Sequence, residues 1–148
     1  RHLEAYCSAT GMKRTAFELL AQYNDTKSLL AGYSYNELTA KSIYEAALKG
    51  DEIALEVFYS TGKWLGQALA DTVHHFCPEA IFLFGGPMAA GNLLLRPTIE
   101  SMEDHLLTVN KNKIKVLPSK LVSGDAAIVG ASALVWKNQQ NKTNLVSK

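Results

Sequence analysis

Ala80-Ile81-Phe82-Leu83-Phe84-Gly85-Gly86 is a short, continuous apolar run, preceded by Pro78 and closed by two glycines. An apolar run without alternation, bounded by turn residues, has the pattern of a strand buried on both faces, as in a parallel sheet covered by helices. Ile114-Lys115-Val116-Leu117-Pro118 reads as a second, shorter strand. Between them, Asn92 to His105 has helical spacing despite Pro97. After them, Ala126 to Trp136 reads as a small-residue helix with Gly130 inside it and Asp125 at its start. Strand, helix, strand, helix with right-handed crossovers implies an α/β fold on a parallel sheet. Two strands alone make a marginal sheet. Further strands are therefore expected upstream of Arg1, so that the chain is part of something larger.

Working back toward the N-terminus, the pattern turns wholly helical. Leu3 to Gln22 carries apolar residues at helical spacing, and Gly11 inside it marks either a bend or a tight packing contact. Residues 23–35 are rich in Asn, Asp, Ser, Gly and Tyr and read as a connector. Thr39 is a good N-cap for a helix from Ala40 to Lys49 that Gly50 closes. Asp51 opens the most periodic segment, in which Ile53, Val57, Leu65, Leu69, Val73 and Phe76 share one face. Gly62 and Gly66 also share a face, and each costs about 1 kcal/mol against Ala in a helix. Close approach of another backbone is the expected compensation. Pro78 ends this helix.

At 148 residues, the chain fits one domain. Hydrophobic residues make up 47% and charged residues 20%, which excludes wholesale disorder. A formal net charge of +1 gives no chain-wide field for nucleic acid or membrane. Cys7 and Cys77 are too few for a disulfide scaffold and are expected to be reduced and mostly buried. No signal-peptide pattern is present, and the longest apolar run is far short of the roughly 18 residues of a membrane span. The expectation is a soluble, cytoplasmic protein.

Two glycine-led junctions are candidates for chemistry. Ligands bind outside the carboxyl ends of strands in open α/β sheets, where Gly85 and Gly86 fall. Adjacent glycines admit close approach to a flat or anionic ligand, although a tight turn after a strand also explains them. The run is neither GxxxxGK[ST] nor GxGxxG, so no phosphate or dinucleotide fingerprint applies. Gly124-Asp125-Ala126-Ala127 enters the last helix, where Asp125 reads as an N-cap or as part of the same crevice. Glu4 at a helix start and His74-His75 at a helix end are both favoured by the helix dipole. His105 reads as solvated. No cluster has the spacing of a closed metal site.

Taken together, these pieces resemble the C-terminal lobe of a sugar kinase of the ROK family, most like its bacterial glucokinase-type members. HLEAYCSATGMKRTAFELL (residues 2–20) resembles the family segment that follows a zinc-binding cysteine cluster, ending C-x-E and running into E-A-Y-A-S-A-T-G. IFLFGGPMAAGNLLLRPTIE (residues 81–100) resembles the adenosine-side strand and its Gly-Gly turn. GDAAIVGASALV (residues 124–135) resembles the GD-x-A-x-x-GA helix.

The resemblance implies an actin-like ATPase (ribonuclease H-like) fold, incomplete at its N-terminal side. Residues 1–136 would form part of the C-terminal lobe, and residues 137–148 read from their own polarity as a tail. It implies Glu4 as a contact to sugar hydroxyls, Gly85 and Gly86 as nucleotide-side residues, and His2 at the position of the last zinc-cluster cysteine. Arg1 stands where the family usually has glycine. The implied partners are a hexose, ATP with Mg²⁺ and a second copy in a homodimer, with structural zinc in the whole enzyme. The family's aspartate base, its DxG phosphate loop, the second phosphate loop and the E-x-G-H sugar motif have no counterpart here. The isolated chain is therefore expected to be inactive. The alternative within the family is the sugar-sensing body of a transcriptional repressor.

Overall fold

The computed structural model describes residues 2–23, 27–121, 125 and 128–136. It divides into one unit ending at Pro118 and a second from Ser119 onward. In the first unit, the apolar stretch expected as one N-terminal helix forms two, α1 (Glu4–Cys7) and α2 (Ala9–Tyr23). The break falls at Ser8, whose extended backbone (φ −88°, ψ 166°) ends α1. Gly11 lies buried inside α2 and is not a bend. A Cβ there would stand 2.7 Å from the Ala5 carbonyl oxygen and 2.8 Å from Tyr6 C, so this glycine lets α2 rest on α1.

The next two helices start where the sequence places them. α3 (Ala40–Leu48) begins at Thr39, whose Oγ1 accepts from Ser42 N at 3.0 Å, and Gly50 follows it with φ 83°. α4 (Glu52–Phe76) begins at Asp51. This buried carboxylate accepts from Ala54 N at 2.9 Å, from Leu29 N at 2.6 Å and from Ser28 Oγ at 3.0 Å. One side chain thus caps the long helix and ties the connector to it. Replacing Asp51 by alanine is expected to cost about 2 kcal/mol, because the cap is lost and the buried Ala54 N–H loses its acceptor. The readout is a lower urea midpoint at unchanged slope, with Asp51→Asn recovering part of the loss. An unmoved midpoint would show that the connector is held by other contacts.

Of the face predicted on α4, Ile53, Val57, Leu69 and Val73 are buried and Leu65 is half-buried. Phe76 is not part of it and stands 78% exposed. It is the last residue of the helix, and Cys77 in the left-handed region (φ 45°) turns the chain away. Cys77 is likewise exposed, contrary to expectation, while Cys7 is half-buried, and both are free thiols. Burial pushes the Cys7 thiol up to about 11, and it stays protonated, donating to Thr61 O at 3.7 Å.

The sheet forms as predicted in order and direction. β1 (Ala80–Leu83) leads through a 3₁₀ turn (Gly86–Ala90) into α5 (Asn92–His105) and then β2 (Lys115–Pro118). The strands are parallel, with Ile81 opposite Val116 and Leu83 opposite Pro118. α5 runs along α4 on the glycine pair. A Cβ on Gly62 would stand 2.7 Å from Pro97 Cγ, and one on Gly66 would stand 2.7 Å from Met102 N. Ser101 Oγ closes the contact by donating to Lys63 O at 2.9 Å.

Leu69, Val73, Met102 and Val116 form the core beneath this sheet, with Ile81 and Leu83 packed on it. A second core joins α2, α3 and the first turns of α4 around Met12, Ile43, Val57 and Phe58. β1 is therefore covered on one face only, since Phe82 on the other face is 67% exposed. The expectation of a strand buried on both sides fails within this unit because α4 and α5 supply one layer.

In the second unit, residue 125 and residues 128–136 are helical, in line with the last predicted helix. The Gly124-Asp125-Ala126-Ala127 junction and the 137–148 tail fall wholly or partly outside the described residues. Among the described residues, no helix is long and apolar enough to cross a membrane.

Candidate functional site

α1 and the first turns of α2 frame a hollow of about 530 Å³ whose wall includes His2, Glu4, Ser8, Thr10, Arg14 and Tyr35. Glu4 stands in the first turn of α1, exposed to this hollow. The surrounding side chains fix the wall. Ser8 Oγ accepts from Gly11 N at 3.0 Å, and the Tyr6 ring lies 4.9 Å from that of Trp64. On the far side, Tyr35 is held by the Phe17 ring at 5.5 Å and by Lys13 Nζ at 4.6 Å above its ring. A carboxylate accepts only, and the hydroxyls of Thr10 and Tyr35 both donate and accept. The hollow therefore suits a ligand that presents several hydroxyl groups.

A second, smaller hollow of about 260 Å³ lies between α2, α3, α4 and the 3₁₀ turn, lined by Met12, Lys41, Tyr44, Phe58 and Gly86 among others. Gly85 takes φ 122°, a conformation that L side chains rarely adopt, and this is what swings the chain off β1. A Cβ on Gly86 would meet nothing within 4 Å, so its side of the turn is open. An apolar slot with a tyrosine, a phenylalanine and one lysine suits a flat ring carrying polar or anionic groups. Gly11 lines the first hollow and Met12 the second, so consecutive residues of α2 separate the two.

The histidines divide by role. His75 Nδ1 and His105 Nδ1 each donate at 2.7 Å to the carbonyl four residues earlier, and His74 Nε2 accepts from Leu107 N at 3.3 Å. His75 and His105 thus bond within the last turns of their own helices, while His74 reaches across to the chain just after α5. His2 shares the first hollow with Glu4. Among the described residues there is no group of three or more His, Cys, Asp or Glu side chains able to hold a metal ion. The donors among the described residues therefore do not make a closed zinc site.

The sequence named Glu4 and His2 here but missed Thr10, Arg14 and Tyr35. One signal was available for Arg14: it stands one helical turn from Gly11, on the side of α2 that Gly11 opens to α1. Nothing local announces Tyr35, which arrives from the connector.

The model of the ROK family matches residues 2–138. This chain belongs to the ROK family. The glucokinase of Thermotoga maritima is 32% identical over 133 residues, which cover 90% of this chain and 42% of that protein. The DNA-binding transcriptional dual regulator NagC of Escherichia coli K12 is 31% identical over 140 residues, covering 94% of this chain and 32% of its own length. Among solved structures, the ROK family glucokinase of Streptomyces griseus, in complex with glucose and AMPPNP, superposes with a TM-score of 0.76 at 32% identity. The match covers 89% of this chain and 43% of that one. The chain thus spans about two fifths of the length of these glucokinases. It holds part of a ROK lobe of the actin-like ATPase fold, helix-rich with a small parallel sheet.

Proposed function

We propose that this chain is the C-terminal part of an ATP-dependent hexose kinase of glucokinase type. Glu4 binds sugar hydroxyls, and the Gly85–Gly86 turn lies on the adenosine side. The observation that carries this reading is the hollow at α1 and α2, which sets the Glu4 carboxylate among hydroxyl-bearing side chains. The similarity to the Thermotoga maritima glucokinase over 90% of the chain supports it.

Phosphoryl transfer depends on positioning and on stabilising charge around the transferred group. Mg²⁺-ATP supplies that group. Glu4 contributes the orientation of the sugar, since two acceptor oxygens fix two hydroxyl donors and hence the ring. The open side of Gly86 and the apolar slot beside it leave room for a flat ring. The base and the phosphate loops implied by the resemblance have no counterpart in these 148 residues. The 148 residues alone therefore do not phosphorylate sugar.

A second reading has its own support: NagC matches 94% of the chain at 31% identity. On that reading the same hollow senses a sugar and nothing is phosphorylated. The test is to express the full-length gene product and assay glucose, mannose, fructose and N-acetylglucosamine with ATP. ATP-dependent formation of a sugar phosphate, with glucose the best substrate, is expected. Sugar binding without phosphorylation, together with sugar-dependent DNA binding, would overturn the kinase reading in favour of the repressor.

A further inference from the structure

We infer that Arg14 is a positioning residue that holds Glu4 in place, an inference that rests on the reading of Glu4 as a sugar-binding carboxylate. α1 has four residues, none of them buried. A helix that short does not persist by itself, because nucleation costs more than one turn of hydrogen bonds returns. Its position, and with it the position of Glu4, must come from contacts to the rest of the fold.

Arg14 makes several of those contacts at once. Its Nη2 donates to the Ala5 carbonyl, one of the terminal carbonyls that a helix cannot satisfy internally. Its guanidinium carbon lies 5.3 Å from the centre of the Tyr6 ring, within range of cation–π attraction. Its Nε stands 3.5 Å from Glu18 Oε1, one turn further along α2. That ion pair orients the fork without forming a hydrogen bond, and Nε is buried with no hydrogen-bond partner. One planar group thus holds the two residues that follow Glu4 and fastens them to α2. It does so from the wall of the hollow that Glu4 itself lines.

The chemistry of this contact calls for arginine. Lysine can donate to the Ala5 carbonyl, but it has neither the plane that covers Tyr6 nor a second arm for Glu18. Gly11 completes the seat, since its missing Cβ lets α1 and α2 approach.

The experiment is calorimetric titration of the full-length gene product with glucose, and with N-acetylglucosamine as second probe. Wild type is compared with Glu4→Gln, Arg14→Ala, Arg14→Lys and the Glu4→Gln/Arg14→Ala double variant. Arg14→Ala is expected to weaken sugar binding about tenfold, and the double variant to bind no worse than Glu4→Gln alone, as coupled residues do. Arg14→Lys should fall between wild type and Arg14→Ala. Affinity for AMPPNP, which a general loosening of the fold would lower, should not change. If Arg14→Ala does not fold, the partial loss in Arg14→Lys decides the question. Loss of sugar affinity in Glu4→Gln with none in either Arg14 variant would overturn the role of Arg14 alone. Additive losses in the double variant would do the same. Unchanged affinity in Glu4→Gln would overturn the reading of Glu4, and this inference with it.

Discussion

Glutamine at position 4 is expected to weaken glucose binding by the full-length gene product by about 10- to 100-fold, since hydrogen bonds to a charged group contribute about 1.5–3 kcal/mol. The change is nearly isosteric. It removes the charge and turns one of two acceptors into a donor, which then meets the hydroxyl donors of the sugar. Because Glu4 is exposed on a helix with no buried residue, the melting temperature should stay close to that of wild type. Turnover should fall as well as affinity, since a sugar held less firmly presents its reacting hydroxyl less often in line with the phosphate. Unchanged kinetics and binding would remove Glu4 from the site.

The second large effect is structural. Valine at position 66 is expected to destabilise the protein by about 3 kcal/mol or more, the upper range for overpacking. Even the first added carbon would stand 2.7 Å from Met102 N and from Ser101 Cβ, and it would also meet the Thr98 carbonyl. Two of those three are backbone atoms, which have no rotamer to escape into. Relief therefore requires α5 to move off α4, opening the core of Leu69, Val73 and Met102 and tilting β1 and β2, which α5 connects. Alanine should do the same to a lesser degree, despite gaining about 1 kcal/mol of helix propensity. Gly32→Ala is the control, since nothing lies within 4 Å of the position. A Gly66→Val protein as stable as wild type would mean that α4 and α5 do not pack as closely as described.

Much of the first unit was legible because its signals are local. Thr39 caps the helix it was expected to cap, and α4 opens at Asp51 as its periodicity indicates. The Gly62–Gly66 pair receives another helix backbone, and the two apolar runs pair in parallel across α5. What sequence alone did not reveal depends on atoms distant in the chain. The break at Ser8 has helix on both sides, so apolar spacing barely registers it, and the glycine three residues later drew attention instead. The exposed face of β1 depends on what covers Phe82, which a run of apolar residues cannot specify. At the candidate site, Glu4 could be named from its resemblance to a known segment. Arg14 was missed although Gly11 one turn away hinted at it, because it reaches back across a helix break, and Tyr35 has no local signal because it comes from the connector.

The central claim, that the hollow between α1 and α2 is a sugar site with Glu4 as its carboxylate, is tested most directly by a crystal structure of the full-length gene product with glucose. The account predicts a sugar in that hollow, with a Glu4 carboxylate oxygen at a hydrogen-bonding distance of about 2.5–3.0 Å from a hydroxyl oxygen. Glucose bound elsewhere, with Glu4 facing only water, would contradict it.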